Sequence, residues 1–414
     1  MELLYRSCCG IDVHKKVLVA CIADGKRRET RSYGTTTREI DELADWIVES
    51  NATMVAMEST ASYWKPLYNV LEERGLSAIV VNPAHMKNVP GRKTDVKDAE
   101  WICDLLQHGL LTASYIPSRS QRELRETLVY RRSLVEERAA EMNRYQKMLE
   151  GANIKLSGTV SNINGKSARF MMEKIIDGKF LTEEDIVGYI KDGDISGRMK
   201  ASPKEIADSL NGSLSLGQRR NVKDVLAHYD DLTARISSLE DRVRSSLLEE
   251  QRHAVDLLTT IPGVGEVNAI SIISVIGTDM TQFKSADHLC SWAGVCPGNN
   301  ESAGKKRHSH CTKGNALLRY SLIQAASCAT KTKDTFFSAK YSKILVRRGK
   351  NRAKVAVAHA MLVSIYNMLS RDTSFVDLGG DYYQKRNERE EKRKLVAKIR
   401  KLGLSQEELA ALLK

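Results

Sequence analysis

Three things are missing from this sequence. It has no C-x-x-C pair, no apolar core behind its N-terminal MELLYRSCCGIDVHKK, and no run of about 18 apolar residues that could cross a bilayer. Its eight cysteines are Cys8, Cys9, Cys21, Cys103, Cys290, Cys296, Cys311 and Cys328. Without paired spacing, and with several of them inside apolar runs, they point to reduced thiols in a cytoplasmic setting rather than a disulfide framework. The N-terminus gives no sign of a secretory leader, and no membrane partner is expected. Acids are also in short supply, with 52 Asp and Glu against 64 Lys and Arg, a formal charge of +12. Such a balance favours a polyanionic partner, most simply nucleic acid. The 414 residues suffice for two or three domains with real cores.

What is present has a clear order. CCGIDV, KVLVACIAD and RRETRSYG read as three strands, with Gly25 at the second turn, and their short links predict an antiparallel meander. The apolar spacing of Ile40, Leu43, Trp46 and Ile47 predicts a helix over 37–50. TMVAMES and SAIVVN are further strands, SYWKPLYNVLEERG a helix ending at Gly75, and another helix begins near Asp95 and runs to about His108. Strands and helices in this order define an α/β unit. Residues 119–150 and 218–252 are long, charged and helical. They pair as an antiparallel coiled-coil arm or serve dimerisation, a solvated helical hairpin in a monomer being the alternative; residues 151–217, rich in Gly, Ser and Asn but with short helices such as LTEEDIVGYIKD, form an insertion at the tip. AVDLLTTIPGVGEVNAISIISVIG predicts helix, tight turn, helix. Gly263 and Gly265 in that turn would let backbone amides approach a phosphate, as in a helix-hairpin-helix; a plain αα corner is the alternative. Residues 331–354 carry nine Lys or Arg, Arg347 and Arg348 among them, against one acid. The charged tail after Tyr383 predicts an amphipathic helix followed by LSQEELAALLK.

Four acids deserve separate treatment. Asp12 lies in the first strand and Glu58 ends the fourth; Asp95 and Asp98 open a helix inside GRKTDVKDAE. A spacing of three puts the last two on one helical face. That suits either a solvated helix N-terminus, where acids complement the dipole, or half of a divalent-metal site. In a ribonuclease H-like sheet the first and fourth strands are neighbours, so their acids stand side by side. Four carboxylates suit Mg²⁺ or Mn²⁺ rather than zinc, and two such ions serve phosphodiester chemistry. Arg92, Lys93 and Lys97 would then face phosphates. His14 reads more simply as a surface histidine at a strand end. His308, His310 and Cys311, with Cys290 and Cys296 upstream, lack the spacing of a zinc finger.

GIDVHKK, MESTASYWKPLYNVLEERG, VNPAHMKNVPGRKTDVKDAEWICDLL, TTIPGVGEVNAISIISVIG and the block from Leu289 to Arg319 together resemble the DEDD transposases of the bacterial insertion-sequence-110 family. These are relatives of the pilin-gene invertase, described as bridge-RNA-guided recombinases. The resemblance implies a RuvC-like (ribonuclease H-like) metal-binding domain over 1–117 whose acids are Asp12, Glu58, Asp95 and Asp98. It also implies a coiled-coil arm over 118–253, a mainly α transposase domain with the helix-hairpin-helix and a serine loop over 254–375, and a charged helical tail over 376–414. In the loop NNESAGKKRHSHCTKGNALLR the nucleophile is Ser302, with Ser309 and then Ser291 behind it. Ala303 follows Ser302 where the family has glycine. Lys305, Lys306, Arg307 and Lys313 would hold DNA. The resemblance further implies donor and target DNA, a guide RNA, a dimer assembling to a tetramer, a composite active site, and a bacterial, nucleoid-associated location. A metal nuclease or junction resolvase without a serine intermediate is the competing enzyme; a non-catalytic nucleic-acid-binding protein is the competing non-enzyme.

Overall fold

A computed structural model describes the backbone of residues 3–82, 95–297, 301–302, 305–306, 311 and 314–401, without the side chains of 95–97, 301–302, 305–306 and 400. The chain divides into two compact units, Met1–Ser120 and Gln121–Lys414.

The first unit is built on strands β1 (Ser7–Val13), β2 (Leu18–Asp24), β3 (Arg27–Tyr33), β4 (Met54–Glu58) and β5 (Ala78–Val81). Their order across the sheet is β3-β2-β1-β4-β5. The meander expected from the short links is there: β1–β2 and β2–β3 pair antiparallel, while β1–β4 and β4–β5 pair parallel. Composition explains the order. After half-buried Ser7, β1 is buried at every position, as a strand covered on both faces must be. RRETRSY is polar and exposed and takes the edge, where charge discourages further pairing. Helices α1 (Thr37–Glu49) and α2 (Trp64–Glu73) cover one face, packing Leu43, Ile47, Leu67 and Leu71 against Cys9, Ile11, Val55 and Met57. Helix α3 (Asp95–Gln107) covers the other, packing Ile102, Cys103 and Leu106 against Cys8, Cys21, Ala56 and Val81.

In the second unit, α4 (Arg119–Gly151) and α9 (Leu216–Ser245) are the two long helices. They run antiparallel along each other: Leu134 meets Leu232, Ile236 and Leu239, Arg131 pairs with Glu240, and His228 Nδ1 lies 3.1 Å from buried Glu141. The helix expected to continue to residue 252 stops at Ser245. A separate α10 (Glu249–Thr259) starts after it, because the Gln251 side chain accepts the Leu248 N–H at 3.1 Å and Glu249 and Glu250 favour a new N-terminus. The tip insertion has the short helices its sequence suggests. Short helices α5 (Leu156–Thr159), α6 (Lys166–Ile176), α7 (Glu183–Lys191) and α8 (Pro203–Leu210) bury Leu156, Met171, Met172, Ile186 and Ile206. The ends of both long helices, Tyr145, Leu149, Val222 and Leu226, join that core.

Beyond the arm, α10 and α11 (Glu266–Ile276) form the expected helical hairpin. It is followed by α12 (Ala286–Trp292), α13 (Ala316–Ala329), α14 (Phe336–Arg348), α15 (Lys350–Arg371) and the exposed α16 (Tyr382–Lys401). By length and composition alone α15 could cross a membrane, although it holds no unbroken apolar run of about 18 residues. Its apolar side, Val357, Ala358, Met361, Leu362 and Ile365, is buried within the protein, as befits a central core helix. All eight cysteines are free thiols.

Candidate active site

Side chains alternate along a strand, and the alternation decides where the acids go. Cys9, Ile11 and Val13 face α1 and α2, so Cys8, Gly10 and Asp12 face α3. On β4, Val55 and Met57 face α1 and α2, so Ala56 and Glu58 face α3. The parallel register pairs Ile11 with Met57, which sets Asp12 beside Glu58 at the C-terminal ends of adjacent strands. Open α/β sheets bind their ligands at such strand ends.

The approach of α3 is equally constrained. Leu4 N–H donates to Gln107 O at 2.8 Å, Cys8 Sγ lies 3.8 Å from Cys103 Sγ, and the backbone of Ala99–Cys103 sits directly over Gly10. Advancing along β1 therefore means retreating along α3, so Asp12 lies at the end of the helix that begins with Asp95 and Asp98. Gly10 makes this possible. A Cβ there would stand 2.3 Å from Cys103 N and 2.6 Å from Ala99 O. The thiols below the acids are inert packing groups. Cys103 is pushed up to about 12: a hydrogen bond from Cys21 works downward, and Cys8 with burial outweighs it.

Asp12 is almost wholly buried, and His14 Nε2 lies 2.9 Å from its Oδ2. His14 follows the last residue of β1 and is exposed, as a histidine at a strand end is expected to be, and it is also a partner of Asp12. Thr60 Oγ1 donates to Glu58 Oε1 at 3.1 Å, and Asp98 is half-buried. Among the described residues no three His, Cys, Asp or Glu side chains stand close enough to hold a metal ion. The side chains of Asp95 and Lys97 lie outside the described residues, as do Arg92 and Lys93 altogether. The carboxylate oxygens of Asp12 and Glu58 at these strand ends are donors of the hard type that a divalent cation takes.

The serine loop sits in the second unit. Its two-residue strands β6 (Glu301–Ser302) and β7 (Lys305–Lys306) pair antiparallel, Ser302 opposite Lys305, and Pro297 bridges Cys311 at the base. Arg307, His308, Ser309, His310 and Lys313 lie outside the described residues. Two residues that sequence reasoning passed over fix the far end of the loop. Gly314 backbone packs on Ala293 and Gly294 after α12, where a Cβ would come within 2.2 Å of Ala293 C. Asn315 Oδ1 then accepts the N–H groups of Leu317 and Leu318 at 3.0 and 3.1 Å, capping α13. The dipeptide Gly-Asn before an apolar run was the available signal.

The hairpin glycines separate in role. Gly263 has φ +87°, and a Cβ on it would meet Ala329 N at 2.4 Å and Ala325 O at 2.6 Å, so packing against α13 accounts for it. Gly265 caps α11 and faces open space; an approaching phosphate would find room at this position alone. Arg347 and Arg348 are exposed in the last turn of α14, where they also complement the helix dipole.

Comparison with known proteins identifies the class. The family described as "Transposase" matches residues 9–154, and the family described as "Transposase IS116/IS110/IS902 family" matches residues 255–342. These matches define a transposase, an enzyme class that rearranges DNA, with DNA as its substrate. The chain belongs to the insertion-sequence-110 (IS110) family of transposases. It is 24% identical over 380 residues to the transposase for insertion sequence element IS1111A of Coxiella burnetii, covering 88% of this chain and 90% of the relative. It is 27% identical over 169 residues to the pilin gene-inverting protein of Moraxella bovis, covering 39% of this chain and 51% of the relative. An IS110 insertion-element protein of Streptomyces coelicolor is 23% identical over 319 residues, covering 70% and 73%.

Proposed function

We propose that this transposase cuts and rejoins DNA through a covalent phosphoserine intermediate, using the carboxylates of a RuvC-like first unit and Ser302 of the second. The observation that supports the reading is that Asp12 and Glu58 lie at the C-terminal ends of adjacent parallel strands, on the sheet face that α3 covers. Asp12, Glu58, Asp95 and Asp98 would hold Mg²⁺ or Mn²⁺, which when bound neutralises charge on the scissile phosphate. His14 orients the Asp12 carboxylate, and Thr60 that of Glu58.

In the cutting step Ser302 Oγ attacks phosphorus. The Oγ–P bond forms, the P–O3′ bond breaks, and the hydroxyl proton ends on the leaving 3′ oxygen. The phosphodiester count is conserved, so the reverse attack by a different 3′ hydroxyl reseals the strand without ATP. Lys305, opposite Ser302 in the hairpin, with Lys306, Arg307 and Lys313, stabilises charge on the phosphate. Gly265, Arg347 and Arg348 contact the DNA backbone, as would Arg92, Lys93 and Lys97 beside the acids. Choice of site rests with a bridge RNA. The acids of one protomer work with the serine of another in a tetramer of two dimers, the antiparallel helices serving as a coiled-coil arm.

The test is to trap a protein–DNA adduct on a cognate junction with Mg²⁺ and co-expressed RNA. Mapping the adduct to Ser302, and losing it in both Ser302→Ala and Asp12→Asn, is the expected result. A Ser302→Ala protein that still cleaves would leave a metal nuclease in its place.

A further inference from the structure

The tip module holds a groove of about 890 Å³ that the chemistry above does not use. Its walls come from the α5–α6 link, the first turn of α6 and the segment from Ser196 to Ala201. The lining has an apolar part, Val160, Ala168, Met199 and Ala201, and a polar and basic part. Ser161, Asn162, Ser167 and Ser196 offer small polar groups, and Lys166, Arg198 and Lys200 are exposed cations at the rim. None of these three cations is in an ion pair among the described residues, unlike Lys155, which is held by Glu150. The one acid in the lining, Glu205, is already committed. It accepts from Ser202 N–H and Oγ, which hold its carboxyl below the usual range. Ser167 Oγ accepts the Ser196 N–H at 2.9 Å and ties the two walls together. Gly165 gives α6 no side-chain cap, so the first amides of this 11-residue helix open toward the groove.

We infer that this groove binds the sugar–phosphate backbone of a nucleic acid, clamped by Lys166, Arg198 and Lys200 at the N-terminus of α6. The argument is one of excluded alternatives. A wholly apolar ligand would bury the three unpaired cations of the rim, whereas a chain of sugars and phosphates sets sugar against the apolar part and charge against the rim; a divalent cation would meet the wrong charge. A free nucleotide bound in the manner of a phosphate-binding loop needs a strand, four residues between glycines, and then Lys-Ser. Here Gly165-Lys166-Ser167 opens the helix, but six residues separate Gly158 from Gly165 and a helix, α5, precedes it. Helix-terminal amides and flexible cations without that loop suit a repeating chain of singly charged phosphates. Only the identity of the polyanion rests on reading the chain as a nucleic-acid recombinase.

Full-length protein is titrated with single-stranded RNA, single-stranded DNA and duplex DNA of one common length, across a series of salt concentrations. Three phosphate contacts at about 0.7 counterions each on single strands predict a slope shallower by about 2 in the Lys166→Ala/Arg198→Ala/Lys200→Ala variant, or about hundredfold weaker binding at 0.1 M salt. Lys166→Arg with Arg198→Lys and Lys200→Arg keeps affinity and slope, and the thermal midpoints of both variants match wild type because the positions are exposed. Loss confined to the RNA arm or to the DNA arms identifies which backbone is held. Affinity and slope unchanged on all three probes would overturn the inference and leave the groove to a protein segment. Binding is read without cleavage, so an inactive Asp12→Asn protein with normal binding speaks to the catalytic proposal alone.

Discussion

The contact between β1 and α3 can be tested by one methyl group. In Gly10→Ala the new Cβ would stand 2.3 Å from Cys103 N, where ordinary contact begins at 3.4 Å. The helix must therefore withdraw by about 1 Å, the difference of the two. Both close atoms are backbone, so no rotamer change relieves the clash. Overpacked cores lose roughly 1–3 kcal/mol, and a rigid neighbour puts this substitution at the upper end, about 3 kcal/mol. The same shift moves Asp95 and Asp98 away from Asp12 and Glu58. A displacement of that size in a reacting constellation costs on the order of a hundredfold in rate. Urea unfolding reads the first loss and cleavage of a cognate junction the second. Cys8→Ala, which leaves the backbone contact intact, serves as the control, with a cost of about 1 kcal/mol and activity retained. A Gly10→Ala protein within about 0.5 kcal/mol of wild type, with full cleavage, would refute both the packing argument and the coupling of α3 to the site.

Gly263→Ala, at φ +87° and in contact with the α13 backbone, should destabilise by about 3 kcal/mol, whereas Gly265→Ala stays within about 1 kcal/mol; thermal melts of the pair measure the contrast. Tyr145 is buried with its hydroxyl unpaired among the described residues, so Tyr145→Phe should leave stability equal or raise it by about 1 kcal/mol, and a lower urea midpoint would contradict this. A hydrogen bond from Lys179, reinforced by Thr182, holds the Asp185 carboxyl down at about 2. Its contribution to the α7 cap is thus complete above the ordinary aspartate range and disappears as pH falls through about 2. Asp185→Asn should remove that acid-dependent loss from the module's circular-dichroism signal without changing it at neutral pH.

The first unit was legible because its strands carry strong period-two or continuous apolar signals and short links, and these set β1 beside β4. The carboxylates could be proposed from strand ends, but not the device that brings α3 to them; a glycine inside CCGID says nothing of which backbone lies over it. His14 was legible as an exposed histidine at a strand end, and its contact with Asp12 follows from their spacing of two residues. The tip module was legible in part, since a short helix over LTEEDIVGYIKD could be read but not the packing that joins it to the arm. Its Gly, Ser and Asn residues signal loop, while its core is assembled from side chains far apart in sequence, Tyr145 and Leu149 with Val222 and Leu226. The break after Ser245 was equally hidden, because one side chain, Gln251, decides it.

Arg132 of α4 lies over the ring of Tyr320 in α13, and from there the helix continues unbroken to Gly151. Nineteen residues at 1.5 Å each make about 28 Å, close to eight steps of a duplex at 3.4 Å. A rigid rod of that length works as a ruler. It holds the tip module at a fixed distance from Tyr320 and the helices packed at its root.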